Sequence, residues 1–303
     1  MIETWLTELP HGITLSCRAA GERGRPLMLF LHGFPEGAFI WDELLAHFAK
    51  PEHGGFRCVA PNLRGFERSS APAEVDAYKP ALMVQDIMAL AAAERADGRI
   101  HTLVAHDWGG AFAWGAANAH ADRIERLVII NSPHPATFAR ELRDNPAQQQ
   151  ASAYMNFLAR PEAEALLAAD DYRRMWPFFT VMKAGEGGFG WLTDAVRQQY
   201  RDLWNHGLTG ACNLYRVTPL KPPLPDGSSA PIPLPPPERA RVDVPTLLLW
   251  ALDDTALLPG LLDGLEQYVP RLTIHRMPGA THWVVHEQPQ ELARQIEAFN
   301  AIK

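Results

Sequence analysis

The sequence predicts an α/β fold: a mostly parallel sheet with helices on both faces and a helical insertion past the middle of the strand series. Three observations carry that prediction. Short unbroken apolar runs, such as Pro26-Leu27-Met28-Leu29-Phe30-Leu31, have the character of parallel strands buried on both faces. Segments of helical spacing separate them, so strand and helix alternate. The alternation stops near Pro135, gives way to a helical, aromatic-rich stretch, and resumes at Val244.

Taken in order, Gly12 to Arg18 alternates as an early strand does, and Gly21 to Arg25 makes a turn. The run to Leu31 is closed by His32-Gly33-Phe34-Pro35. Phe39 to Ala49 has helical spacing, with Ile40, Leu44, Leu45 and Phe48 on one side. Phe56 to Ala60 is a strand closed by Pro61 to Phe66, and a helix from about Ala81 to Ala96 leads to the strand His101 to His106. Ala111 to Ala119 is small and apolar enough to pack a helix tightly on a sheet. Arg126 to Ile130 is the next strand, ending at Asn131-Ser132-Pro133-His134. Residues 135–240 form the expected cap, with a proline-rich connection at 219–237 that has no regular structure. Strands resume at Val244 to Trp250 and Leu272 to His275, with a helix expected between them at Leu258 to Tyr268 and a last one at Gln288 to Phe299. The core domain is then 1–134 with 241–303.

Composition narrows the function classes. Apolar residues make up 47% of 303, an ordinary share for a folded chain long enough to bury a full core. The formal net charge is -7 with no basic stripe, which argues against nucleic acid as a partner. No apolar run nears the roughly 18 residues of a membrane helix, and Met1 to Trp5 lacks a secretory pattern. Cys17, Cys58 and Cys212 are odd in number and widely spaced, as buried thiols in a reducing compartment are. A cytoplasmic protein without a membrane partner is expected. The oligomeric state, a homo-oligomer included, is left open.

The chemistry gathers at the carboxyl ends of the strands, where ligands of such sheets sit. In Ala105-His106-Asp107-Trp108-Gly109, small residues stand two places either side of an acid, the pattern of a strained strand-to-helix elbow that presents a nucleophile. Capping of the following helix is the plainer role for such an aspartate. An elbow nucleophile is followed in chain order by an acid and then a histidine. Asp253 and Asp254 follow the strand ending at Trp250, and His282 follows the last strand. Asp254 is preferred, since the loop must leave the sheet before a side chain can turn back to His282. His282 and His286 are four apart, but no third ligand accompanies them, so neither a metal nor an organic cofactor is expected. Backbone N–H groups of Phe34 and Trp108 would form the oxyanion hole, with Gly33 allowing close approach and Pro35 fixing the turn.

These residues carry a resemblance. His32-Gly33-Phe34-Pro35-Glu36, Arg64-Gly65-Phe66, His106-Asp107-Trp108-Gly109-Gly110, Asp254 and His282-Trp283 with His286-Glu287 resemble the epoxide hydrolase and haloalkane dehalogenase branch of the α/β-hydrolase fold family, nearly end to end. The resemblance implies an eight-stranded sheet and an inserted helical lid. It also implies a carboxylate nucleophile that forms an ester with the substrate, later hydrolysed by water activated by His282 and Asp254. Epoxide hydrolases of the branch hold two lid tyrosines that protonate the epoxide oxygen, and Tyr154 and Tyr215 stand in the matching contexts. His32, Pro35, Trp108, Phe157 and Trp283 are then expected to bind the substrate, a small apolar epoxide. Where this branch commonly has glycine after the tryptophan that ends the acid-bearing strand, the chain has Ala251. A haloalkane or haloacid dehalogenase using the same aspartate is the alternative, but Phe34 stands where haloalkane dehalogenases often carry asparagine. Trp108 and Ala111 replace the arginines that hold a haloacid carboxylate. A binding protein without catalysis is a further alternative, opposed by the intact nucleophile, acid and base.

Overall fold

The computed structural model describes residues 1–181, 188–224 and 226–302. Residues 182–187, within the expected cap, and Pro225, within the expected proline-rich connection, lie outside them. Eight strands form one sheet in the order β1-β2-β4-β3-β5-β6-β7-β8. They are β1 (Glu3–Glu8), β2 (Thr14–Ala20), β3 (Leu27–Leu31), β4 (Arg57–Pro61), β5 (Ile100–His106), β6 (Ile124–Ile130), β7 (Thr246–Ala251) and β8 (Leu272–Met277). Pairing is antiparallel from β1 through β2 to β4 and parallel from there on.

Every residue of β3 is buried, and its side chains divide by parity as the pleat requires. Leu27, Leu29 and Leu31 join the core beneath α2 (Pro80–Glu94) and α3 (Asp107–Ala119), while Met28 and Phe30 join the core on the opposite face. That opposite face is covered by α1 (Asp42–Phe48) and the C-terminal helix, α13 (Pro289–Asn300). Between β6 and β7 the described residues make eight helices. These are α4 (Pro135–Asp144), α5 (Pro146–Ala151), α6 (Tyr154–Leu158), α7 (Ala163–Tyr172), α8 (Trp176–Thr180), α9 (Asp194–Trp204), α10 (Thr209–Val217) and α11 (Pro237–Ala240). A short helix α12 (Val284–Glu287) precedes α13.

Two expectations are corrected here. The edge strand β1 was not anticipated, because its burial pattern is weak and Leu6 is exposed. The helix expected at Leu258 to Tyr268 is instead two short 3-10 turns, Pro259–Leu262 and Leu265–Gln267. Gly264, at φ 73°, separates them.

The loop after β4 is fixed by a buried ion pair, in which the Arg64 guanidinium donates to both oxygens of Asp86 at 2.7 and 2.9 Å. On the same loop Gly65 touches the helix that carries Tyr215. A Cβ on Gly210 of α10 would lie 2.2 Å from the Gly65 Cα, so the two backbones meet directly. Removing one partner of a buried pair strands the other charge, at a cost of about 3–5 kcal/mol. An Asp86→Ala protein is therefore expected to lose stability on that scale in urea unfolding. A loss under about 1 kcal/mol, the range of an exposed pair, would mean that Arg64 finds water.

Candidate active site

Asp107 follows the last residue of β5 and opens α3, at a positive φ of 49° that non-glycine residues rarely adopt. Space dictates its neighbours. A Cβ on Gly109 would fall 2.5 Å from the Leu31 carbonyl oxygen, and one on Gly33 would fall 2.1 Å from Asp107 Oδ1. The Phe34 backbone N–H therefore comes close enough to donate to Oδ1 at 2.7 Å. Ser132 holds the turn from below, its hydroxyl donating to the Asp107 carbonyl at 2.6 Å. The Phe34-Pro35 peptide is cis.

The other carboxylate oxygen, Oδ2, faces His282 Nε2 at 3.7 Å. His282 Nδ1 lies 2.7 Å from Asp254 Oδ2. Asp254 is buried and held on all sides: Asn131 Nδ2 donates to Oδ2 at 2.8 Å, and the N–H groups of Ala256 and Leu257 donate to Oδ1 at 2.8 and 3.0 Å. Burial would raise its pKa, but His282 and these donors hold it below the usual carboxylate range. At His282, burial disfavours the charged ring, yet Asp254, with Asp107 and Glu36, outweighs it and raises the pKa to about 9. Ala251 still delivers the acid, because its N–H donates to Asn131 Oδ1 at 2.8 Å and ties β7 to the same asparagine.

Tyr154 on α6 and Tyr215 on α10 stand over Asp107, their ring centroids 6.1 Å apart. Burial, and after it Asp107 for Tyr154, push both phenols well above their ordinary pKa, so both keep their protons. The Tyr215 ring meets the Trp108 indole edge-on, with centroids 5.2 Å apart. Asp107, Tyr154 and Tyr215 separate two largely apolar cavities. One of about 410 Å³ reaches Phe34, Phe157, Phe178, His282 and Trp283. The other, of about 340 Å³, reaches Trp108, Phe138, Met155, Leu220 and Leu257.

His32 and Pro35 are not brought to the cavities, contrary to expectation. The His32 ring is fully buried, and burial lowers its pKa to about 4. Its neutral imidazole accepts from the Leu63 N–H at 3.0 Å and meets the Gly33 carbonyl at 2.9 Å, so both nitrogens are used to shape the loop. Pro35 turns away, its carbonyl accepting from the Trp204 indole at 2.8 Å.

Sequence reasoning also passed over a buried polar network behind His282. His106 Nε2 meets the His282 carbonyl at 2.9 Å and its Nδ1 meets Glu36 Oε2 at 3.1 Å. The Tyr200 hydroxyl donates to Glu36 Oε1 at 3.0 Å and lies 2.8 Å from His286 Nε2. Burial opposes the charge on Glu36, but bonds from His106 and His286 hold its carboxyl far below the usual range. The signal available was the presence of Glu36, His106 and His286 in the motifs quoted above; Tyr200 has no motif around it.

Residues 26–289 match the family described as the alpha/beta hydrolase fold. The chain belongs to the α/β hydrolase family. This α/β hydrolase is 33% identical to Epoxide hydrolase 4 of Mus musculus over 95% of the chain and 76% of that protein. It is 29% identical to AB hydrolase superfamily protein YfhM of Bacillus subtilis, over 92% and 91%. Among solved structures, it matches one of the novel epoxide hydrolases from metagenomes of hot environments with a TM-score of 0.85, at 35% identity and covering all of both chains. A Bacillus megaterium epoxide hydrolase bound to an inhibitor matches at 0.84 and 30% identity, over 97% of this chain and 99% of that one.

Proposed function

We propose that this α/β hydrolase opens an epoxide to a vicinal diol through a covalent ester on Asp107. The observation that carries the reading is the pairing of a carboxylate nucleophile with two protonated tyrosines across one small space. Asp107 Oδ2 attacks a ring carbon while its Oδ1 rests on the Phe34 N–H. The carbon–oxygen bond breaks, and the oxygen takes its proton from Tyr154 or Tyr215, since an alkoxide leaves poorly without one. In the second step His282, oriented by Asp254, removes a proton from water, which attacks the ester carbonyl. The oxygen that becomes negative there is Oδ1, already beside its donor. As it collapses, the Cγ–Oδ2 bond breaks, the departing diol oxygen takes the proton held by His282, and the proton left on the Asp107 carboxyl restores the tyrosine.

Residues 135–240 act as the cap, placing both tyrosines and the outer walls of the two cavities. Those walls suit apolar groups on the epoxide carbons. No helix among the described residues is long and apolar enough to cross a membrane. The dehalogenase alternative is not favoured, because a halide needs no proton to leave and would leave the tyrosine pair without a task.

The deciding assay offers styrene-oxide-type epoxides, haloalkanes and haloacetate in parallel. Diol without halide is expected, and halide release as the dominant activity would overturn the reading. Tyr215→Phe is expected to lower kcat about 10–100-fold, and Tyr154→Phe with Tyr215→Phe about 10³-fold, within the range of general acid catalysis. Unchanged ring opening in the double variant, measured in a single turnover, would remove the tyrosines from the mechanism.

A further inference from the structure

On the face of the sheet remote from Asp107, three metal-binding side chains converge from separate elements. His47 lies in the last turn of α1, His53 ends the 3-10 turn Pro51–His53 that follows it, and Glu297 comes from α13. The chain reverses between the two histidines and lays their rings face to face, centroids 3.8 Å apart and 21° between planes. His47 Nε2 and His53 Nδ1 then point at one oxygen, Glu297 Oε1, at 2.7 and 2.6 Å. All three donor atoms lie within 4.8 Å of one another.

From this juxtaposition we infer that His47, His53 and Glu297 form a binding site for a divalent transition-metal cation of the zinc type. Two imidazoles and one carboxylate are a donor set that suits Zn²⁺, with water completing the shell. At bond lengths of about 2.0–2.2 Å, tetrahedral ligands stand roughly 3.3 Å apart, so the carboxylate oxygen has to withdraw from each imidazole nitrogen by roughly two-thirds of an ångström. Each neutral ring coordinates through the nitrogen that now faces the carboxylate, its hydrogen moving to the other nitrogen. The side chains are 26 to 37% exposed, which leaves an open path for the ion and its water. A bound ion would join the first helix of the core to the last. Its effect would be on stability, not on the chemistry at Asp107.

The experiment titrates ZnCl₂ into the chelator-treated full chain by calorimetry, with Co²⁺ as a visible-absorption probe of coordination. One ion per chain with a Kd at or below about 10 μM is expected. At about a hundred-fold excess over Kd, mass action should raise Tm by roughly 5 °C. His53→Ala and Glu297→Gln should each weaken binding at least about 30-fold, equivalent to about 2 kcal/mol, while Asp107→Ala should leave it unchanged. His53→Ala alone carries the comparison if Glu297→Gln does not fold. Binding no tighter than about 1 mM, affinity unaffected by either variant, or loss in Asp107→Ala would overturn the assignment.

Discussion

An Asp107→Ala protein is expected to lose epoxide turnover by about four orders of magnitude or more, while its fold and unfolding midpoint stay close to those of the parent. The size follows from the proposed role. Without the carboxylate no ester forms, and the remaining route is direct attack by water, of the kind that survives when a covalent nucleophile is deleted. The stability side follows from local geometry. Asp107 sits at φ 49°, strained for any residue with a Cβ, the Ser132 hydroxyl bonds its backbone carbonyl, and the one bond lost with the side chain, from the Phe34 N–H, borders the cavity where water can replace it. Diol formation followed by chromatography, beside thermal unfolding, checks both halves. Activity within ten-fold of the parent would transfer the nucleophilic role elsewhere.

His282→Gln is expected to stop the reaction halfway. Ring opening needs Asp107 and the tyrosines, all still present, whereas ester hydrolysis needs a base; a loss of about 10³ to 10⁴ in that step alone makes the ester accumulate. Intact-protein mass spectrometry then reads the chemistry directly. An epoxide expels nothing when it opens, so the adduct adds the whole mass of the substrate. A haloalkane would add its mass less that of the hydrogen halide. Absence of any adduct during slow turnover would contradict the two-step scheme.

The same histidine sets a pH dependence whose sign can be worked out. In the free enzyme the negative charge of Asp107 helps to raise the His282 pKa to about 9. Esterification removes that charge, and the imidazolium loses an attractive partner, so its pKa falls. His282 thus becomes a neutral base more readily once the ester exists. Single-turnover hydrolysis of the ester is expected to rise with pH and level off below the free-enzyme value. Resonances of His282 give the value in the free enzyme and the pH profile of single-turnover ester hydrolysis gives the value in the ester, and an unchanged or higher value in the ester would refute the argument.

The legible parts of this molecule are those where one stretch of chain carries its own constraint. The apolar run before His32, the small residues flanking Asp107 and the order of acid before histidine each express local geometry, so the core strands and the strand-end positions of Asp107, Asp254 and His282 could be read by inspection. Asn131 was visible only as the end of a strand, because its task is to bridge Ala251 and Asp254 across two neighbouring elements. His32 misled for a related reason: adjacency to the oxyanion loop suggested contact with substrate, whereas its ring nitrogens serve the loops beside it. Glu36, His106, Tyr200 and His286 come from four segments, and only tertiary packing makes them one network. The same holds for His47, His53 and Glu297: the two histidines have the spacing of a zinc ligand pair, but only tertiary packing brings the carboxylate to them.

The backbone contact between Gly65 and Gly210 separates two kinds of heritable change. The helix that carries Tyr215 meets the loop after β4 backbone to backbone at Gly210 and Gly65, so substitution at the cavity walls, at Phe157, Phe178 or Leu257, is expected to reshape what the cavities admit while leaving that joint in place. Selectivity can therefore be altered at those walls, whereas a side chain at either glycine would push α10, and Tyr215 with it, away from the loop.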